Sequence, residues 1–135
     1  MSQSLSRRQF VASAAAILFL PRRARAMRSA GPHPTPRPGI TAAKVVSGDK
    51  LDGKADLIQL FDGVREIPQV IDGIRCQCGC ATSDGFYSLL SCYEGDAAMA
   101  KICHICQGEG KLTVRLHKEG KSLDEIRLAI DAKFG

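Results

Sequence analysis

Six cysteines within a stretch of 31 residues constrain this 135-residue chain more than any other feature. Cys76, Cys78 and Cys80 stand in "CQCGC", Cys92 follows, and Cys103 and Cys106 close the set in "CHIC". Three chemistries concentrate sulfur in this way: a thiolate metal site, a disulfide framework and a redox-active thiol pair. Residues at i and i+2 of an extended loop point to one side, and residues at i and i+3 of a helix share a face. The triad and the pair can therefore each direct sulfur at a common point. Gly79 permits a positive φ, which lets backbone amides face those sulfurs. Four thiolates at about 2.3 Å suit zinc. Soft sulfur suits Cu(I) as well, and six thiolates around two or more ions is equally allowed. An iron–sulfur centre is the third metal reading.

Disulfides are the structural alternative. Cysteines at i and i+2 stand near or beyond the Cα separation that a bridge tolerates, and a helical C-x-x-C bridges poorly. The bridges would then have to join the triad to the other three, crowding every crosslink onto one patch and leaving the flanking segments unstapled. The redox alternative rests on Cys103 and Cys106, which look like the C-x-x-C of thiol–disulfide oxidoreductases. No βαβ pattern precedes them, and a helix starting near Asp96 would put Cys103 two turns from the helix end that activates a thiol. His104 is expected on another helix face, partly exposed.

The start of the chain bears on this choice. "SRRQFV", Ser6 to Val11, resembles the twin-arginine signal, differing only by Val11 for leucine. An apolar stretch from Phe10 to Leu20 follows, too short to span a bilayer, and then Ala24-Arg25-Ala26, a signal-peptidase type of site. A Sec signal or an N-terminal anchor helix is the alternative. Residues 1–26 thus read as a twin-arginine signal peptide. Such signals imply a passenger that meets the twin-arginine export machinery already folded, often with its cofactor. A reducing cytoplasm supplies no disulfides, so this favours the metal. After cleavage nothing membrane-spanning is expected, and the destination is periplasmic or secreted.

Charge follows from the same segment. The formal +5 resides in Arg7, Arg8, Arg22, Arg23 and Arg25, and the remainder balances 14 basic against 14 acidic side chains. With no basic patch left and few aromatics, nucleic-acid binding has no support.

Residues 27–42, with prolines at 32, 34, 36 and 38, read as a semi-rigid linker without a core, His33 in it being solvated. Residues 43–135 form one small cysteine-rich domain, predicted all-α. Leu57, Leu60, Phe61 and Val64 make one helix face that Pro68 closes. "FYSLLSCYEG" reads as a short helix from about Gly85 to Tyr93. Asp96 is placed to cap a longer helix sharing Met99, Ile102, Cys103 and Cys106 on a face, weakened at Gly108 and Gly110 and ended by Gly120. "KLTVRLH" is taken as helix although it also alternates. Ser122 and Glu125 form a capping box, with Leu123, Ile126, Ile130 and Phe134 as the buried stripe behind it. No haem attachment site, phosphate loop, nucleophile–base pair or carboxylate pair survives inspection. A binding role, not an enzyme, is expected.

From about Ile67 to Phe134 the chain resembles the exported bacterial proteins named for a P-C-Y-C-G-C motif, whose function is largely uncharacterised. "CQCGC", "SLLSCYEG", the helical "CHIC" and "EGKSLDEIRLAID" carry the likeness. Arg75 stands where the motif has proline and Gln77 where it has tyrosine, and His104 replaces an often acidic residue. The lipoprotein cysteine of many members is absent, so membrane anchoring does not carry over. The resemblance implies an exported, cysteine-rich, metal-associated protein. Cys76, Cys78, Cys80, Cys92, Cys103 and Cys106 are the predicted ligands, to zinc or Cu(I).

Overall fold

A computed structural model describes residues 31–135; the signal peptide read at 1–26 lies outside the described residues. The described chain is helical, as predicted, and contains no strand beyond an isolated bridge between Val45 and Glu94. None of its helices is long and apolar enough to cross a membrane.

Helix α1, Ala55–Glu66, forms where the apolar residues recur at helical spacing; Leu60, Phe61 and Val64 are buried on its inner face. Pro68 stops α1 and also starts α2, Pro68–Asp72, at the position where a missing N–H costs nothing. The cysteine-bearing loop follows and ends in a single turn, α3, Cys80–Ser83, entered through Gly79 at φ +88°. That left-handed conformation is the one glycine adopts without steric cost.

The next two expectations need correction. The short helix expected from Gly85 is a 3-10 turn, Leu89–Tyr93, which starts late because the Ser88 hydroxyl accepts the Leu90 N–H. The long helix expected from Asp96 is broken in two. A 3-10 turn, Met99–Lys101, comes first, and α4, His104–Lys118, begins only after Ile102 and Cys103 leave helical geometry. The Gln107 amide donates to the Ala100 carbonyl and holds the break. Ala100 and Cys106 thereby both face inward, while Ile102 turns out and is 75% exposed.

Helix α4 runs through Gly108 and Gly110 without interruption. The glycines admit neighbours instead of bending the helix. A Cβ at 108 would meet the Phe134 ring at 2.9 Å, and one at 110 would overlap the Tyr93 hydroxyl. Tyr93 is fully buried, stands edge-on to Phe61 with centroids 4.8 Å apart, and donates to the Cys106 carbonyl at 2.6 Å. Helix α5, Leu123–Phe134, starts at the predicted capping box and buries Ile126 and Ile130 against α4.

The proline segment departs from the linker reading. From residue 31 it lies along the domain as a strap. Prolines donate no hydrogen bonds, but the carbonyls of Pro34 and Thr35 accept from Arg127 and from the Tyr87 hydroxyl. Arg37 stacks over the Tyr87 ring and binds the fully buried Asp72 through its backbone N–H at 2.7 Å and Nη2 at 2.8 Å. His33 is not solvated; its side chain is 11% exposed. Burial pushes the Asp72 carboxyl up, but Arg37, Ser88 and the Arg37 amide outweigh it and hold the group below its ordinary value.

Two outcomes follow from this packing. Arg37→Ala leaves a buried carboxylate short of its cation, and because the guanidinium is partly exposed the loss is about 2–3 kcal/mol in denaturant unfolding. A depressed carboxyl contributes stability above its unfolded pKa, so that deficit is full at neutral pH and shrinks in acid as Asp72 protonates. Gly110→Ala, which helix propensity alone would favour by about 1 kcal/mol, destabilises instead by about 2 kcal/mol or more, through the clash with Tyr93.

Candidate metal centre

Three separate parts of the chain deliver sulfur to one point. The loop after α2 supplies Cys76 and Cys78, the 3-10 turn supplies Cys92, and the first turn of α4 supplies Cys106. The four Sγ atoms all lie within 4.8 Å of one another. Cys76 is 3.0 Å from Cys78 and 3.4 Å from Cys106, and Cys106 is 3.5 Å from Cys78. Cys76, Cys92 and Cys106 are fully buried and Cys78 is half-buried. All six cysteines are free thiols.

A tetrahedral ion with sulfur at about 2.3 Å has sulfur–sulfur edges of about 3.8 Å. The three close separations fall short of that value by less than 1 Å and the others stay within 4.8 Å, a spacing on the scale of a single four-coordinate ion. An iron–sulfur cluster, with sulfides lodged between its irons, asks for thiolates standing further apart.

Cys80 touches the group from outside, its sulfur 2.8 Å from that of Cys78, but it does not belong to the mutually close four. Cys103 does not belong to it either. The sequence treats Cys103 and Cys106 as partners on one helix face, whereas the helix begins between them. Cys103 is the N-cap of α4, not a residue two turns inside, and only Cys106 joins the quartet. His104 is exposed and outside the group.

The electrostatics of the quartet are those of thiols sharing protons. Cys76 accepts from Cys106 and Cys92 against the cost of burial, with Cys78 helping, and is pulled down to about 2. Cys106 is pushed up by its bond to the Cys76 thiolate, by Cys92 and by burial. Cys92 gains from the Cys106 thiol but is pushed up on balance by Cys76 and burial, and Cys78 is pushed up by burial and then by Cys76. Of the four, Cys76 is the sulfur that gives up its proton most readily.

Glu109 is a residue that no motif marks in the sequence. It is fully buried, and one carboxylate oxygen accepts the Gln77 N–H at 2.9 Å. The other oxygen is buried without a hydrogen-bond partner. Burial, then the negative charge of Cys76, pushes the carboxyl up to about 9, so it holds a proton at neutral pH. The signal was available: Glu109 lies three residues after Cys106, on the same face of a helix. Tyr93 is pushed well up by burial and then by the cysteines, and its hydroxyl stays protonated to hold the Cys106 carbonyl.

A groove of about 610 Å³ between α1 and α4, lined by Asp56, Leu60, Gly63, Lys111, Val114 and Lys118 among others, includes no cysteine.

Comparison with protein-family models, with curated proteins and with solved structures finds no match for this chain.

If the quartet takes an ion as four thiolates, Cys78, Cys92 and Cys106 must each give up a proton. About three protons are therefore expected to leave per ion bound, and affinity tightens steeply as pH rises from 6 to 8. Calorimetry in buffers of different ionisation enthalpy measures the count; a release near zero would remove these thiols from the coordination shell.

Proposed function

We propose that this is an exported metal-binding protein in which Cys76, Cys78, Cys92 and Cys106 hold one ion, zinc in a structural role being the leading assignment. The observation that carries the reading is the mutual approach of four sulfurs from three chain segments to within 4.8 Å. Four thiolates close a tetrahedral site and leave no open position, which is the condition of a structural ion rather than a catalytic one. In a domain this small, the free energy of binding an ion becomes folding free energy. The resemblance to the P-C-Y-C-G-C proteins and the twin-arginine-like start support export in folded, loaded form to the periplasm or beyond.

Cu(I) handling is the second reading, and Cys80 favours it. A fifth soft donor in contact with Cys78 exceeds what one tetrahedral ion uses and suits a thiolate-bridged Cu(I) group. The thiol–disulfide oxidoreductase reading gains from the N-cap position of Cys103, since a helix N-terminus activates a thiol. It loses more from Cys106, whose sulfur is fully buried against Cys76. A disulfide-stapled interaction domain has six free thiols to account for.

Protein purified without oxygen or chelator is expected to carry about one zinc per chain, or two or more Cu(I). Its thiols should resist alkylation until it is denatured with chelator. Cys76→Ser and Cys106→Ser lose the ion, Cys103→Ser keeps it, and Cys80→Ser lowers the stoichiometry only if the metal is Cu(I). Metal-free, folded protein with three bridges, shown by elemental analysis and peptide mapping, would replace this reading with the disulfide framework.

A further inference from the structure

The loop from Gly73 to Cys78 is tied down on either side of Cys76. Cys76 and Cys78 bring their sulfurs to the cluster, while the backbone N–H groups of Arg75 and Gln77 are taken up by specific acceptors. The Arg75 N–H donates to Nδ1 of His33 at 2.9 Å, and the Gln77 N–H donates to Glu109. Cys76 thus sits between two pinned amides.

His33 is itself fixed from both ends. Its Nδ1 accepts a hydrogen bond, so the neutral ring carries its proton on Nε2, which faces Asp131 Oδ1 at 3.0 Å. The same Asp131 oxygen accepts from the Gln77 side-chain amide at 3.0 Å. Arg127 adds a parallel tie, donating to the Gly73 carbonyl at 2.9 Å and to the Pro34 carbonyl at 2.8 Å. One imidazole in the strap therefore reaches the backbone just before Cys76 and, through Asp131, the side chain just after it.

We propose that His33 is a positioning residue of the sulfur centre. It locks the loop on both sides of Cys76 so that Cys76 and Cys78 meet an ion already in place. This rests on the metal reading above. His33 touches no ion itself. What it removes is the freedom of the loop to swing a sulfur away, so its loss registers in how fast an ion escapes and how symmetrically it is held. Outer contacts of this kind typically change metal binding about ten- to a hundredfold.

Cobalt(II), bound by the full chain, is the probe, read by its thiolate charge-transfer and d–d bands and by its rate of release to excess chelator. His33→Ala and Asp131→Ala are expected to release cobalt about tenfold faster or more, with an altered d–d envelope. Circular dichroism should be unchanged. His33→Gln can still accept from Arg75 and donate to Asp131, and it should restore release toward wild type. Val64→Ala, which destabilises the core through α1 without touching the strap, should leave release unchanged. Wild-type release in His33→Ala, or equal acceleration by Val64→Ala, overturns the role and leaves the metal reading standing. Wild-type protein that binds no cobalt overturns both. Where His33→Ala does not fold, the contrast between His33→Gln and Asp131→Ala decides, and equal release from the two overturns the role.

Discussion

Four sulfur atoms held within 4.8 Å of one another cannot all be ionised without a cation among them. This constraint governs the rest of the molecule. Either protons or an ion must balance the cluster, and the protein has arranged its surroundings for that choice. Glu109 stays protonated beside Cys76 instead of adding another charge, and Tyr93 takes up the Cys106 carbonyl as a neutral hydroxyl. The thiolate at Cys76 is the point from which the other thiols are pushed up. A metal ion entering here exchanges protons for a charge that satisfies all four sulfurs together.

The fold answers a second demand, which is to bring together residues thirty positions apart in a small chain. Helices α1 and α5 do this indirectly. They bury the apolar faces that hold α4 against the Leu89–Tyr93 turn, so that Cys92 and Cys106 arrive beside the loop carrying Cys76 and Cys78. The strap closes the arrangement from outside, with Arg37 on Asp72 at the end of α2 and His33 at the loop.

Much of this was legible in the sequence. Leu60, Phe61 and Val64 declare α1 by spacing alone, the capping box at Ser122 marks the start of α5, and Gly79 announces its turn. What escaped depended on contacts between distant residues. The apolar spacing of Met99, Ile102 and Cys106 argues for one continuous helix, and only burial of Ala100 and Cys106 together shows why it breaks, at the expense of Ile102. Prolines argue against a core in the strap, but not against docking on someone else's. That needed Asp72 and Arg127, more than thirty and ninety residues away. The density of the six cysteines pointed to the region where sulfurs converge, whereas the division into four close sulfurs, one neighbour and one outlier is a matter of where α4 begins.

The glycines of α4 carry one more consequence. Gly108 and Gly110 are the residues least inclined to stay helical, and they lie within four positions of Cys106. The Phe134 ring and the Tyr93 hydroxyl stand where their side chains would be. The backbone that presents Cys106 is thus kept helical by its neighbours more than by its own preference, so the position of that sulfur is tied to how α5 and the Leu89–Tyr93 turn dock.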